Sequence, residues 1–330
     1  MDSKISVAVT ELEYERGREV FERAAQADLH CQPAPADEEQ LAAAVKAMDA
    51  RHAIVGVAQY SNALYRALPR GGVLARFGVG YDGIDLQQGT QAGLLCTITP
   101  GTLAASVAEL TLALLLSAAR RIPTIVGDMR NGRWSPLEGV ELHGRRIAII
   151  GCGVIGKQVA RIVSFGLGMD VIGCDIVEMD PAEIKERYGI ARMASSFEDA
   201  VAEADYVSLH IPNNAETRHF INADSLSKMP AQCWLINTAR GAVVDESALY
   251  DALAAGELGG AALDVFEMEP YVPVAAEKNL AELPNTILVP HVAGFTREAC
   301  ERMASLAVQN ILHAEAKHYG KMNLLNREVL

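Results

Sequence analysis

The sequence predicts an α/β chain made of two doubly wound parallel-sheet domains. Three observations carry that expectation. Short apolar segments alternate with stretches of helical pattern along the chain, as βαβ units require. Half of the residues are hydrophobic while only 5% are aromatic, a composition suited to sheets covered by helices on both faces. A length of 330 residues exceeds one typical domain and suits two.

The elements follow in order. Residues 5–9, 53–57 and 73–77 read as strands, and 13–27 and 37–47 as helices, with Gly71-Gly72, Gly78, Gly80 and Gly83 at turns. Pro100-Gly101 precedes a long apolar helix, 102–121, of the kind buried between domains. Ser106, Glu109, Thr111 and Ser117 interrupt it, which argues against a membrane span. Gly132, Pro136, Gly139 and Gly144 mark an irregular stretch. A second series then predicts six strands, at 146–150, 170–174, 206–209, 234–237, 260–265 and 286–289. The last helix, 297–315, has no sheet of its own to cover. It is expected to return to the first domain, giving 1–101 plus 295–330 as one domain and 102–294 as the other.

Bulk charge narrows the partners. The net charge is −13 and no Lys/Arg-rich run occurs, so a nucleic-acid or anionic-membrane surface is not expected. Six cysteines form no C-x-x-C pair and sit mostly in apolar runs, as free thiols in a reducing cytoplasm do. No His or Cys pair has metal-ligand spacing, and residues 1–10 have no secretory pattern.

The strand 146–150 runs into Gly151-Cys152-Gly153-Val154-Ile155-Gly156, a G-x-G-x-x-G turn opening a helix. Gly151 permits the tight turn, Gly153 the approach of a pyrophosphate, and Gly156 close packing of helix on strand. The second strand ends at Asp175, whose carboxylate can accept from ribose hydroxyls and repels a 2′-phosphate. The unit is therefore read as a Rossmann-like site for NAD in preference to NADP.

Three further motifs stand at predicted strand ends: Asn237-Thr238-Ala239-Arg240-Gly241, Asp264 to Pro270 with Glu269, and Pro290-His291. Ligands of doubly wound sheets bind at those ends. Reduction of a 2-keto acid needs a cation for the substrate carboxylate and an acid for the carbonyl oxygen. Arg240 suits the first task, His291 the second, and Glu269 suits holding the imidazole in one tautomer and favouring its charged form. Taken singly, each also reads as a surface ion-pair partner, a helix cap or a core histidine. His210, at another strand end, is placed to line the cofactor cleft.

These motifs, with 76–85, Thr99-Pro100-Gly101, 106–110 and 142–145, resemble the D-isomer-specific 2-hydroxyacid dehydrogenase family over nearly the whole chain. Within it the chain looks most like D-3-phosphoglycerate dehydrogenases. The resemblance implies a nucleotide-binding domain inserted into a discontinuous, flavodoxin-like substrate domain. It implies the catalytic roles given to Arg240, Glu269 and His291. It further implies cofactor contacts at Val154, Ile155, Asp175, His210, Ile211, Pro212, Thr238, Ala239, Asp264 and 291–294, hence Gly294, and contact of the Val79-Gly80 backbone with the substrate carboxylate. Homodimers or tetramers built from the nucleotide-binding domains are expected. Phosphoglycerate enzymes place an Arg where Gly56 stands, which leaves Arg76 as a phosphate or scaffold residue. Tyr60, Tyr81 and Tyr271 are expected either to fit a larger, less charged acid or to pack. Ending at Leu330, the chain is expected to lack the regulatory domain of longer relatives. Two other readings share the resemblance: an NAD(H)-sensing corepressor-like binding protein, and a phosphite or formate-type dehydrogenase. Formate enzymes carry Gln where Glu269 stands.

Overall fold

The computed structural model describes residues 4–330, which divide into two compact units: the residues up to Leu103 with Gly294–Leu330, and Ala104–Ala293. The first unit begins β1 (Ile5–Thr10), α1 (Glu11–Ala24), β2 (Leu29–Ala34), α2 (Glu38–Ala47), β3 (His52–Val55), α3 (Ala63–Ala67), β4 (Val73–Arg76), α4 (Leu86–Ala92) and β5 (Leu95–Thr97). Its strands are all parallel, in the order β2-β1-β3-β4-β5, which is flavodoxin-like. Alternation along each strand sends side chains to opposite faces. Val7, Val9, Ile54 and Ala75 enter one core; Ala8, Ala53, Val55 and Leu74 enter the other, with Leu41, Leu64 and Leu94.

The second unit runs α5 (Ala104–Arg120), α6 (Ile122–Arg130), β6 (Arg146–Ile150), α7 (Val154–Leu167), β7 (Asp170–Cys174), α8 (Pro181–Tyr188), β8 (Ile190–Met193), α9 (Phe197–Val201) and β9 (Tyr206–Leu209). It continues with α10 (Ala223–Ser227), β10 (Trp234–Asn237), α11 (Glu246–Ala255), β11 (Gly260–Leu263) and β12 (Thr286–Leu288). Seven parallel strands lie in the order β12-β11-β10-β9-β6-β7-β8, so the chain reverses direction across the sheet beside β6. A ligand site belongs outside the strand C-termini at that switch point. Ile147, Ile149, Val171 and Ile236 pack under α5 and α7, and Ile150, Val207, Leu209 and Leu235 fill the other face. The chain then returns to the first unit with α12 (Arg297–Glu315), which Thr296 caps through Ala299 N, and whose Met303, Ala307 and Ile311 cover the β1–β4 sheet beside Phe21.

Three strands and one helix differ from the sequence reading. β2 carries Gln32 and Pro33 and lies at a sheet edge, where a missing N–H is tolerated. β5 has only three residues and β8 is the opposite sheet's edge, so neither shows a long apolar run. α6 holds Pro123 in its first turn and Gly127 inside, which reads as an irregular segment until packing is known. No single described helix is long and apolar enough to cross a membrane; α5 and α6 pass that test only together, with a 68° bend between them.

Candidate active site

The turn from β6 into α7 gives each glycine a distinct duty. Gly151 has φ +92°, and a Cβ there would meet the His210 carbonyl at 2.6 Å. At Gly156 a Cβ would run into the Gly151 carbonyl, so helix and strand touch backbone to backbone. At Gly153 a Cβ would meet nothing within 4 Å. Gly153 is also the N-cap of α7 and brings no side chain to cap it, so the first-turn N–H groups of a 14-residue helix face outward. That open, positively polarised end suits a pyrophosphate. Val154 beside it is 72% exposed, and Ile155 is half-buried. Asp175 closes the turn from β7: its Oδ2 accepts from Cys152 N at 2.6 Å and its Oδ1 from Val177 N at 2.9 Å. These residues fit a dinucleotide.

His210 follows β9 with its N–H on the Ile150 carbonyl at 2.7 Å and its Nε2 2.9 Å from Ser208 Oγ. Burial pushes its imidazole down to about 4, so it stays neutral at working pH. Ile211 beside it is half-buried and Pro212 is exposed.

Arg240, Glu269 and His291 hang from the next three strand ends. After β10, Asn237 is 1% exposed and holds the turn from inside: its Oδ1 accepts from Ala239 N at 3.0 Å and its Nδ2 donates to Arg240 O at 2.9 Å. Thr238 is pinned by its hydroxyl, 2.8 Å from that of Thr111 on α5. The Arg240 guanidinium donates to Ala239 O at 2.7 Å. At Gly241 there is no room for a side chain, since a Cβ would overlap the Phe266 carbonyl. The Arg240 turn therefore lies directly on the loop 264–270 that follows β11.

That loop carries Glu269, and the segment after β12 carries His291. His291 Nδ1 stands 2.6 Å from Glu269 Oε2, while Glu269 Oε1 accepts from Phe266 N at 3.0 Å. A carboxylate only accepts, so the imidazole proton shared with Glu269 sits on Nδ1. His291 has φ +50°, a conformation disfavoured for a residue with a Cβ, and its N–H is fixed on Asp264 O at 2.8 Å. The Asp264 carboxylate is fully buried and accepts from Val292 N at 2.6 Å and Ala293 N at 3.0 Å. Burial pushes its carboxyl up, and those two N–H groups oppose the push. The two side chains of the pair remain 31% and 28% exposed.

Behind the pair lie carboxylates the sequence reading passed over. Glu246, 3% exposed at the start of α11, accepts from Glu267 N at 2.5 Å, and Glu267 Oε1 accepts from Glu246 N at 3.1 Å. Glu267 Oε2 faces His219 Nε2 at 2.9 Å. Glu246 stands in the first turn of α11 beside Asp245, whose side chain caps that helix through Ala248 N.

In the first unit, Val79 is 36% exposed at the end of β4 and Gly80 is half-buried beside it. Arg76 is buried and supports that loop: its Nε donates to Gly80 O at 2.9 Å and its NH1 to the carbonyls of Phe77 and Val55. Of its two expected roles, the scaffold role is the one this geometry supports. Tyr60 is corrected from pocket to core. It is 2% exposed, packs with Leu64 and Leu94, and spends its hydroxyl on Ala36 O at 3.3 Å. Tyr271 fastens its own loop, with its ring 4.8 Å from Phe266 and its oxygen accepting from Leu280 N at 2.9 Å. Tyr81 is 43% exposed. Gly56 lies against Glu13, a 5%-exposed acid that sequence reasoning placed on an ordinary helix face; any Cβ at 56 would run into its carboxyl. Thr10 Oγ1 ties the two, accepting from Gly56 N at 3.2 Å and donating to Glu13. Arg16 NH1 stands 4.0 Å from Glu13 on the other side. Gly294 begins the second segment of this unit.

No cluster of three metal-ligating groups occurs among the described residues. The sequence model of the D-isomer specific 2-hydroxyacid dehydrogenase family, NAD binding domain, matches residues 112–293. The chain is 35% identical to a glyoxylate reductase of Korarchaeum cryptofilum over 99% of this chain and 97% of that one. It is 36% identical to a D-3-phosphoglycerate dehydrogenase of Methanocaldococcus jannaschii over 72% of this chain and 44% of that one. A solved D-lactate dehydrogenase of Aquifex aeolicus, complexed with NAD and lactic acid, superimposes with a TM-score of 0.81 at 30% identity, covering 96% of each chain.

Proposed function

This chain belongs to the D-isomer specific 2-hydroxyacid dehydrogenases, NAD-dependent oxidoreductases, and from that premise we propose that it reduces a short, unphosphorylated 2-keto acid to the D-2-hydroxy acid. The observation that carries the assignment of chemistry is the 2.6 Å bond between His291 Nδ1 and Glu269. NADH, held at the Gly-rich turn, supplies the hydride. His291 Nε2 gives a proton to the carbonyl oxygen as the alkoxide develops, and takes it back in the reverse direction. Glu269 stabilises the imidazolium, whose Nε2 proton is the one given, and holds the neutral ring left after transfer as the Nδ1–H tautomer. The Arg240 guanidinium holds the substrate carboxylate with paired N–H donors. The Val79-Gly80 backbone takes a second carboxylate-binding role, with Arg76 holding that loop from beneath. We assign the cofactor contacts to Gly151, Gly153, Val154, Ile155, Gly156, Asp175, His210, Ile211, Pro212, Thr238, Ala239, Asp264 and Gly294, as the family resemblance implies.

The preference for an unphosphorylated acid rests on Glu13. Phosphate recognition needs a cation with free N–H groups. At the end of β3 this chain has Gly56 backed by a buried carboxylate, and Arg76 directs three N–H contacts at backbone carbonyls. A relative that matches 99% of this chain is itself named a glyoxylate reductase. Incubation with NADH and glyoxylate, hydroxypyruvate, phosphohydroxypyruvate or a branched 2-keto acid is the test. Turnover of hydroxypyruvate or glyoxylate about 100-fold above phosphohydroxypyruvate in kcat/KM is expected. NADH left unoxidised by all four would overturn the function itself.

We further propose a homo-oligomer assembled through the second unit, working in the cytoplasm. Ile122, Val126 and Met129 recur on one face of α6, each at least 40% exposed, and Trp134 beyond it is 85% exposed. Apolar surface of that kind marks a contact surface. All six cysteines are free thiols, as a reducing compartment keeps them.

A further inference from the structure

We propose that Glu246 is a positioning residue for the acid–base pair: its buried carboxylate fixes the loop that carries Glu269, and its charge sets how tightly His291 holds its proton. The inference rests on the acid–base reading of His291 and Glu269. Its geometric basis is a reciprocal tie. Glu246 Oε1 accepts the Glu267 N–H, and Glu267 Oε1 accepts the Glu246 N–H, so α11 and the 264–270 loop are bound through each other's side chains. Phe266 N, one residue earlier in that loop, holds Glu269 Oε1, and Glu269 Oε2 holds His291. A shift of the Glu267 backbone is therefore a shift of the proton donor.

Charge adds to the tie. The groups that act on Glu246 are Glu267 and Glu269 from the loop, and Tyr271 lies within its field. His219 and Arg218 sit beyond Glu267, at 2.9 and 3.7 Å from its Oε2. Lys278 is turned to Ser247 Oγ at 2.8 Å and to Asp251, on the same helix. Burial raises the Glu246 carboxyl from 4.5 to about 7, and the two neighbouring carboxylates push the same way. The raised value means that the folded chain binds this proton more tightly than the unfolded chain, so the associated stability is present below 4.5 and is lost as pH rises through 7. Above that point a second negative charge stands behind Glu269. It stabilises the imidazolium and keeps the proton donor loaded to higher pH.

Glu246→Gln separates the two contributions, since its amide oxygen still accepts from Glu267 N while the charge is gone. The His291 ring is titrated by two-dimensional NMR in the wild-type chain and in E246Q, its signal identified by its loss in H291N. The expected result is a His291 midpoint about half a unit or more lower in E246Q. The alkaline limb of keto-acid reduction should move in the same direction. Glu246→Ala, which also removes the tie, should lower kcat while KM for NADH stays within about twofold. Superimposable His291 titrations in wild type and E246Q overturn the proposal. The NMR measurement needs no turnover, so a chain that reduces no keto acid would sink the functional reading without deciding this one.

Discussion

The two sheets end in different ways. At the C-terminal edge of the second unit polar side chains stand out: Arg240, Glu269 and His291 project from strand ends, on loops that Asn237, Asp264 and Glu246 hydrogen-bond. At the same edge of the first unit Arg76 and Tyr60 turn away and are buried, and Val79 and Tyr81 stand at the surface on a loop that Arg76 holds through Gly80 O. One edge is a set of ionisable side chains held by polar bonds; the other is a loop held from beneath by buried side chains. Substitutions should therefore cut activity without stability in the second unit, and stability together with affinity in the first.

The largest expected effects test the first half of that contrast. His291→Asn and Arg240→Ala should each lower kcat/KM for a keto acid by about 10³-fold, the scale of losing a general acid or a charged carboxylate anchor. The thermal midpoint should move little, because neither side chain is a core residue. A variant that unfolds instead would show that these groups serve the fold, and the distinction between the edges would fail.

A pH experiment compares the units through one residue type. His52, fully buried in β3, accepts from Val73 N at 2.9 Å on Nδ1, and burial lowers it to about 4. A lowered histidine binds its proton more readily when the chain is unfolded. Stability is thus lost as pH falls from 6.5 towards 4, by up to about 3 kcal/mol for a shift of this size. His210 in the second unit is lowered to about 4 as well, by burial. Denaturant unfolding between pH 4.5 and 7 should show a flatter slope in His52→Gln, and a comparable flattening in His210→Gln. Equal slopes in wild type and His52→Gln would mean that His52 is protonated in the folded state.

The same contrast explains what could be read from the sequence. Strands of the second unit such as Arg146–Ile150 and Trp234–Asn237 are apolar runs bounded by turn residues, and they are legible residue for residue. Arg240, Glu269 and His291 also stand where the sequence reading put them, just past strand ends. Supporting groups are less legible. Glu246 reads as a helix-start acid, and only the fold brings the Glu267 N–H onto it. Tyr60 reads in the sequence either as a pocket residue or as packing, and the turn after β3 drops the ring among Leu64 and Leu94. Glu13 opens a predicted helix of mixed faces, and only the end of β1 places it under Gly56.

Gly56 tests the packed edge. In Gly56→Ala the new Cβ runs into the Glu13 carboxyl, and overpacking at such a site costs about 1–3 kcal/mol. Adding Glu13→Ala should recover most of that loss, which a denaturation series on the single and double variants would reveal as coupling. Additive losses would place Glu13 elsewhere in solution.

Asp175 is the point where the second unit borrows the first unit's device, a backbone held in shape by one buried contact. Its carboxylate fixes Cys152 N at 2.6 Å, inside the Gly-rich turn, and leaves its remaining lone pairs at the rim. Two effects are expected from Asp175→Asn, and they separate. Removing the charge lifts the repulsion of a 2′-phosphate, so the NADPH-to-NADH ratio of kcat/KM should rise by about 10-fold. Keeping an oxygen that accepts from Cys152 N preserves the turn, so NADH affinity should fall by only a few-fold. Asp175→Ala removes both and should weaken NADH and NADPH alike. Fluorescence titration of the two nucleotides against wild type and both variants distinguishes these cases. If Asp175→Asn weakens NADH as much as Asp175→Ala does, the carboxylate acts by charge on the ribose, and the hydrogen bond into the turn contributes nothing to binding.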